Sequence, residues 1–146
     1  MIYKKRARVY VNDENAKCVL TETQRGKIIA AITDDANDDI ASITSSVHAT
    51  TSFLNGEKSC EVTEIKAINN IYTMFRLQKF YYESLHRLGF RYMWMETSNH
   101  KLVEAADMLY CLYHVQGTNI YYADLNRMFY HDDMPLIKHE EKHFAP

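Results

Sequence analysis

Glycine, proline and cysteine are all scarce in this chain. Its 146 residues include 4 Gly, 2 Pro and 3 Cys. Folds built from many short strands usually need frequent Gly and Pro turns, so this scarcity favours a few long helices with few connections. The cysteines, Cys18, Cys60 and Cys111, are odd in number and include no Cys-x-x-Cys pair. They therefore provide neither a disulfide framework nor a zinc ribbon.

Long apolar runs and an excess of basic residues are also missing. No apolar segment of the sequence approaches the roughly 20 residues that a membrane-spanning helix needs, so we expect no membrane association. The formal net charge of −2 argues against a uniformly basic nucleic-acid-binding protein. The basic start of the chain is not followed by the apolar stretch of a signal peptide. We therefore expect a cytoplasmic protein, located in the host cytoplasm if it is viral.

The composition that remains is that of one globular domain. Apolar residues make up 47% of the chain and charged residues 25%, and the length suits a single domain over 1–146. We predict a mainly α fold, a helical bundle of about four helices with a small N-terminal β-hairpin. The predicted elements are the hairpin over 1–20, helices over 22–47, 61–88, 99–116 and 119–131, and a polar tail over 132–146.

The first predicted helix rests on a capping pattern and on apolar spacing. Thr21 and Gln24 stand three residues apart, as the N-cap and N3 residues of a capping box do. The isoleucines that follow recur on one face of a helical wheel. The acidic cluster over 34–39 is then expected to lie on the solvated side of this helix.

The next two predicted helices have recognisable end residues. Gly89 falls one residue beyond the second helix, where a C′ glycine in the left-handed conformation ends many helices. Ser98 or Asn99 is placed to cap the third helix, and Gly117 is expected to end it.

One polar stripe on the third predicted helix is unusual. His100, Glu104, Asp107, Cys111 and His114 fall within a stripe about 80° wide on a helical wheel. All five are residue types that bind metals or transfer protons, and no Lys or Arg interrupts them. The stripe predicts either a metal or acid–base site or, alternatively, the solvent-exposed strip of a bundle helix.

The favoured function is that of a binding protein. The chain has 11 Tyr, 6 Phe and 1 Trp, more aromatic side chains than a core of this size needs, and exposed Tyr and Trp are enriched at protein interfaces. We predict a small accessory or regulatory protein, of the kind that phage and viral genomes encode, with Tyr92, Trp94, Tyr121 and Tyr122 contacting a protein partner. Self-association into an oligomer through the same aromatic residues is an additional expectation.

A metal-dependent hydrolase acting on a nucleotide or phosphoester is the alternative function. Glu104 and Asp107, one helical turn apart, would hold Mg²⁺ or Mn²⁺ with His100, and His100 or His114 would serve as general base. Residues 139–143 match the H-E-x-x-H pattern of zinc proteases, but we interpret them as part of the polar tail, and no other complete catalytic motif is present. We therefore favour a protein that is not an enzyme and that needs no cofactor.

The basic N-terminal segment offers a third kind of contact. Lys4, Lys5, Arg6 and Arg8 lie close together in the sequence and could contact the phosphates of a nucleic acid. The same charges would also protect an edge strand from unwanted pairing.

Overall fold

The chain is mostly β, and the predicted helical bundle is wrong. The computed structural model describes residues 1–5, 15–48, 57–107, 112–127 and 140–142. Across these ranges the elements, in chain order, are β1 (Ile2–Lys5), β2 (Lys17–Glu22), β3 (Lys27–Thr33), β4 (Asp39–His48), β5 (Ser59–Ala67), α1 (Ile71–Arg87), β6 (Tyr92–Glu96), α2 (His100–Asp107), β7 (Tyr113–Val115), β8 (Ile120–Asp124) and β9 (Glu140–Lys142).

The chain divides into two compact units. The first contains Met1–Ser46 and Val62–Ser84, and the second contains Val47–Glu61 and Leu85–Pro146. Strand β5 and helix α1 each begin in one unit and end in the other.

The sheet of the first unit has the order β2-β3-β4-β5. Strand β3 is antiparallel to both β2 and β4, and β1 runs parallel to the second half of β5, with Ile2 opposite Glu64. The predicted hairpin over 1–20 therefore has the wrong pairing, because β1 bonds to β5 and β2 bonds to β3.

A tight turn joins β2 to β3, where a helix start was expected, with three residues between the paired Thr23 and Lys27. The N–H of Thr23 donates to the carbonyl oxygen of Lys27 at 2.9 Å, and Thr23 Oγ1 accepts from the N–H of Lys27 at 3.2 Å. Gly26 ends the turn with φ 75°. A type I turn closed by a left-handed residue is a common hairpin connection. The predicted capping box is therefore part of a hairpin.

A second turn of the same kind joins β3 to β4. The N–H of Asp34 donates to the carbonyl oxygen of Asp38 at 3.0 Å, and Asn37 ends the turn with φ 62°. Asp34 Oδ1 accepts from the N–H groups of Ala36 and Asp38, at 2.9 and 3.0 Å. Asp and Asn suit this position because their side chains bond to nearby backbone and tolerate the left-handed conformation. The expected acidic helix face is therefore a turn.

One face of this sheet forms the core of the first unit. Cys18 on β2 lies on this face, and Arg76 on α1 lies near enough to influence the pKa of its thiol. The register places the following residues of β3 and β4 on that face, and all of them are buried: Ile28, Ala30, Ile32, Ala41, Ile43 and Ser45.

The helix predicted over 22–47 failed because β3 is enclosed on both faces. Ala31 and Thr33 on the opposite face are buried as well. A strand that is buried on both sides shows a continuous apolar run in place of a period of two. Ile28, Ile29 and Ile32 happen to fit the spacing of a helix face equally well.

The helix predicted over 61–88 is a strand followed by a shorter helix. Helix α1 begins at Ile71, and Asn70 acts as its N-cap, since Asn70 Oδ1 accepts from the N–H of Thr73 at 3.2 Å. The preceding nine residues, Ser59–Ala67, are β5. Cap chemistry at Asn70 therefore decides where the helix starts.

The predicted role of Gly89 is confirmed. Its φ is 86°, its N–H donates to the carbonyl oxygen of His86 at 3.0 Å, and the N–H of Phe90 donates to the carbonyl oxygen of Leu85 at 3.1 Å. These two bonds define a Schellman motif. Phe90 and Leu85 are both buried, which supplies the apolar contact that usually accompanies it.

In the second unit, four further strands follow the start of β5. Strand β6 is parallel to β5 over Ser59–Glu61 and antiparallel to β8, which in turn is antiparallel to β7; β9 is parallel to β7. The buried apolar residues of these strands and of the segments around them include Cys60, Met93, Met95, Val103, Leu112, Ala123 and Leu125.

Helix α2 begins as predicted but ends early. Asn99 Oδ1 accepts from the N–H of Leu102 at 3.1 Å, so Asn99 is the N-cap. The helix stops at Asp107, and residues predicted to continue it form β7. Gly117, expected at the helix end, lies with φ 79° in the turn between β7 and β8. Neither α1 nor α2 is long and apolar enough to cross a membrane, and these are the helices of the described ranges.

The remaining predicted segments also change. The helix expected over 119–131 is β8 in its first part, and residues 128–131 lie outside the described residues. Of the predicted polar tail over 132–146, the described part is β9.

We expect Asp34→Ala to lower the free energy of unfolding by about 1 kcal/mol, because two backbone N–H groups of the β3–β4 turn lose their acceptor. Chemical denaturation in urea measures this change. Asp35→Ala is the matched control, because Asp35 is exposed one position along the same turn. Equal losses for the two variants would contradict the role given to Asp34.

Candidate functional site

The residues of the predicted polar stripe are dispersed by the fold. His100 and Glu104 are exposed on α2, whereas Asp107, its last residue, is buried. His114 lies on β7, and Cys111 is outside the described residues. The stripe depended on one continuous helix, which the structure does not have.

Asp107 has a structural contact. Its Oδ1 accepts a hydrogen bond of 2.8 Å from the N–H of Leu112, and both residues are buried. A buried backbone N–H without an acceptor destabilises the folded state, so the Asp107 carboxylate stabilises the fold by accepting this bond. It fixes the end of α2 to the residue that precedes β7.

His114 is also held by its neighbours. Its Nε2 lies 2.6 Å from the carbonyl oxygen of Thr118, and its ring is stacked on Tyr121 with centroids 4.8 Å apart. A carbonyl oxygen only accepts hydrogen bonds, so Nε2 carries the proton and donates it. The predicted general base therefore uses this nitrogen to bind the turn between β7 and β8.

Across the described ranges, no group of three or more His, Cys, Asp or Glu side chains is arranged to hold a metal ion. His100 and Glu104 remain together on the exposed side of α2. The metal-dependent hydrolase stays a prediction. In such an enzyme the carboxylate of Asp107 would have to bind the cation while it also accepts the hydrogen bond from the N–H of Leu112.

The predicted partner-binding aromatics lie mainly in the core of the second unit. Tyr92, Tyr121 and Tyr122 are 8%, 8% and 2% exposed, and Trp94 is half-buried. The ring of Tyr122 is stacked on that of Tyr113 at 5.2 Å and meets that of Tyr92 edge-on at 5.7 Å. Such aromatic pairs each add about 0.5–1.5 kcal/mol beyond burial. The tyrosines therefore stabilise the unit from within.

Two arginines border this tyrosine cluster. Arg91 forms an ion pair with Asp124, with Nε 3.3 Å from Oδ1 and Nη2 3.4 Å from Oδ2. The bond to Asp124 raises the pKa of Arg91. Arg127 donates a hydrogen bond to the hydroxyl of Tyr113, and its guanidinium lies 5.9 Å from the centre of that ring. Arg91 is thus paired with a carboxylate, and Arg127 contacts a hydroxyl and a ring of the cluster.

Burial raises the pKa of the Tyr92 and Tyr122 hydroxyls above the ordinary value of 10.0. The neighbouring Tyr113 and Tyr92 add to the effect at Tyr122. Both phenols are therefore neutral hydrogen-bonding groups at physiological pH. Nothing in this arrangement activates either hydroxyl as a base.

The basic N-terminal segment is described in part. Lys4 and Lys5 are exposed on β1, and Arg6 and Arg8 lie outside the described residues. Lys4 Nζ is 4.0 Å from Glu64 Oε2, while Lys66 Nζ is 3.6 Å from Glu64 Oε1. Surface pairs of this kind contribute little stability. They do neutralise part of the charge that a nucleic acid would require.

The first turn of α1 carries two exposed apolar residues that sequence reasoning missed. Ile71 is 56% exposed and Tyr72 is 76% exposed. We call this pair the α1 tip. Strands β1 and β5 are parallel, so their carboxyl ends meet at one edge of the sheet, and only residues 68–70 separate β5 from α1. The α1 tip therefore lies at the edge where β1 and β5 end.

The α1 tip was missed because the predicted helix over 61–88 begins ten residues before α1 does. Positions 71 and 72 lay inside that predicted helix, whereas in the structure they form the exposed first turn. The pair Asn69-Asn70 is the signal that could have located this start, because Asn is among the preferred N-cap residues.

No protein-family model matches the chain, and the comparison with curated proteins found no match.

We expect Asp107→Ala to lower the free energy of unfolding by about 1–3 kcal/mol, because the buried N–H of Leu112 loses its acceptor. Glu104→Ala is the matched control, since Glu104 is exposed on the same helix, and surface changes usually stay within about 0.5 kcal/mol. Thermal or urea unfolding of the two variants provides the measurement. Equal stability of Asp107→Ala and the wild type would refute the structural role.

We expect the stability of the protein to fall at alkaline pH through the tyrosine cluster. Because the pKa values of Tyr92 and Tyr122 are raised in the folded state, the folded protein holds these protons more tightly than the unfolded chain. Their contribution is complete below the unfolded pKa of about 10 and is lost as pH rises through the folded pKa.

Tyr122→Phe should make this alkaline loss smaller, because the variant has no proton to release at that position. The melting temperature is measured from neutral to strongly alkaline pH, with Tyr72→Phe as the control for loss of an exposed phenol. A loss as steep in Tyr122→Phe as in the wild type would contradict the assignment.

Proposed function

We propose that this chain is a small accessory or regulatory protein that acts by binding a protein partner through the α1 tip. The observation that carries the proposal is the 76% exposure of Tyr72 beside Ile71, which is 56% exposed. Single exposed apolar residues are ordinary on protein surfaces. Two adjacent ones, one of them aromatic, at an edge that also bears charge are the composition of an interaction site.

The burial of most other described tyrosines supports this assignment. Six of the described tyrosines are buried: Tyr81, Tyr82, Tyr92, Tyr113, Tyr121 and Tyr122. The two other described tyrosines are exposed, and Tyr72 at 76% is far more exposed than Tyr3 at 36%. Tyr supplies a large rigid contact area with a hydroxyl at its end, which is why it recurs among the residues that dominate binding energy.

Charge around the α1 tip suggests the character of the partner. Arg76 follows Tyr72 by four residues on the exposed side of α1, and the first turn contains no acidic residue. Lys79, one turn further along, is paired with Glu83 at 4.0 Å. Lys5 ends β1 opposite Ala67, at the same edge. A complementary surface would offer an apolar pocket with acidic groups around it.

We expect the double variant Ile71→Ser/Tyr72→Ser to bind the partner about tenfold more weakly or worse, a change of about 1.4 kcal/mol. The partner is first identified by photo-crosslinking from a benzoyl-phenylalanine placed at position 72 in cells that naturally contain the protein. Its affinity is then measured by calorimetry with purified components. The thermal stability of the double variant should equal that of the wild type, because both side chains are exposed.

Ile2→Ser is the matched control, because Ile2 is 55% exposed at the opposite end of β1. It should keep the wild-type affinity. Unchanged affinity in the double variant would show that the α1 tip is not the binding surface. A crosslinked product that nuclease digestion removes would replace the protein partner with a nucleic acid.

A further inference from the structure

Strand β2 forms an open edge of the sheet in the first unit. It pairs with β3 on one side, and no other strand within the described ranges pairs with it. Natural edge strands are usually protected by proline, by bulges or by inward-facing charges. Strand β2 contains no proline, and its register with β3 is unbroken from Lys17 opposite Thr33 to Glu22 opposite Ile28.

The hairpin turn shows which backbone groups of β2 face outward. Thr23 donates to Lys27, so this pair is hydrogen-bonded, and hydrogen-bonded pairs alternate along an antiparallel ladder. Thr21, Val19 and Lys17 therefore direct their N–H and C=O groups toward β3. The N–H and C=O groups of Cys18, Leu20 and Glu22 point away from the sheet.

We propose that this edge pairs with β2 of a second copy of the chain, antiparallel and about a two-fold axis at Leu20. Leu20 of one copy then lies opposite Leu20 of the other, and Cys18 lies opposite Glu22. All outward-facing residues fall in hydrogen-bonded pairs. Each such pair shares two hydrogen bonds, so the three pairs form about six between the copies. A two-fold contact of this kind is the commonest route to a dimer.

The side chains of β2 are compatible with this register. Val19, 44% exposed, lies opposite Thr21 of the other copy, and such a pair of a β-branched aliphatic residue with threonine packs well between strands. The charged residues Lys17 and Glu22 stand at the two ends of the strand. In this register Lys17 lies opposite Thr23 of the other copy and Glu22 lies opposite Cys18, so no like charges are directly opposite each other.

Light scattering coupled to size-exclusion chromatography tests the dimer. The wild type is expected at twice the chain mass of 17.1 kDa. Leu20→Pro removes an outward N–H without removing a bond to β3, and proline is tolerated on edge strands, so this variant should be a folded monomer. A wild type that stays at the chain mass up to high micromolar concentration would overturn the proposal.

Val19→Lys is the second variant, in case Leu20→Pro disturbs folding. It places lysines of the two copies on the same face, two positions apart, and should weaken the dimer in a salt-dependent way. Ile2→Lys makes the same exposed change away from β2 and should leave the dimer intact. If Val19→Lys and Leu20→Pro are both folded dimers, the β2 contact is excluded.

A disulfide test locates the axis. In a Cys18→Ser background, Leu20→Cys places two cysteines opposite each other with Cα atoms about 5.5 Å apart, within the range that a disulfide spans. Oxidation should give a covalent dimer on a non-reducing gel. Arg25→Cys, in the exposed turn beyond β2, is the control and should stay monomeric on the same gel. Crosslinking of Arg25→Cys alone would place the contact elsewhere.

Discussion

Two residues in the left-handed conformation, Gly26 and Asn37, determine how the first unit is built. Strand β3 can lie between β2 and β4 only because the chain reverses within three residues at each of its ends. Each turn uses the same combination of a backbone bond across the turn and a side-chain oxygen that accepts a backbone N–H. With the turns in place, the register of β3 and β4 brings Ile28, Ala30, Ile32, Ala41 and Ile43 together on one buried face. The core of the first unit follows from that arrangement.

The parts of the fold that sequence reasoning located are those with local chemistry. The end of α1 at Gly89 and the start of α2 at Asn99 were both predicted, because each depends on a cap within a few residues. The predicted hairpin over 1–20 includes β1 and most of β2, with the wrong pairing, and the other strands were not predicted. In β3, burial on both faces removed the alternation that identifies a strand, and Ile28, Ile29 and Ile32 fitted a helical wheel. The scarcity of Gly also led to an expectation of few turns. Asn37 adopts the left-handed conformation in one turn, as Gly26 does in the other, so this turn needs no glycine.

The candidate sites show the same division between local and non-local information. His100 and Glu104 share α2 as predicted, but the remaining stripe residues depended on how far the helix continued. Asp107 ends it and binds the backbone of Leu112. The aromatic surplus was recognised correctly as unusual, yet cross-strand pairing placed Tyr92 and Tyr122 face to edge inside the second unit. Exposure at Tyr72 could not be inferred until the start of α1 was known.

The open edge of β2 has a consequence for how binding at the α1 tip would operate. A two-fold pair of chains carries two identical tips held at a fixed separation by one continuous sheet. Once the first tip is engaged, the second meets its target at a high effective concentration, provided that the target repeats with a matching spacing. Such a pair would discriminate by the spacing of its targets as well as by their chemistry. A filament, a lattice or another symmetric assembly would then be bound far more tightly than the same subunit in isolation.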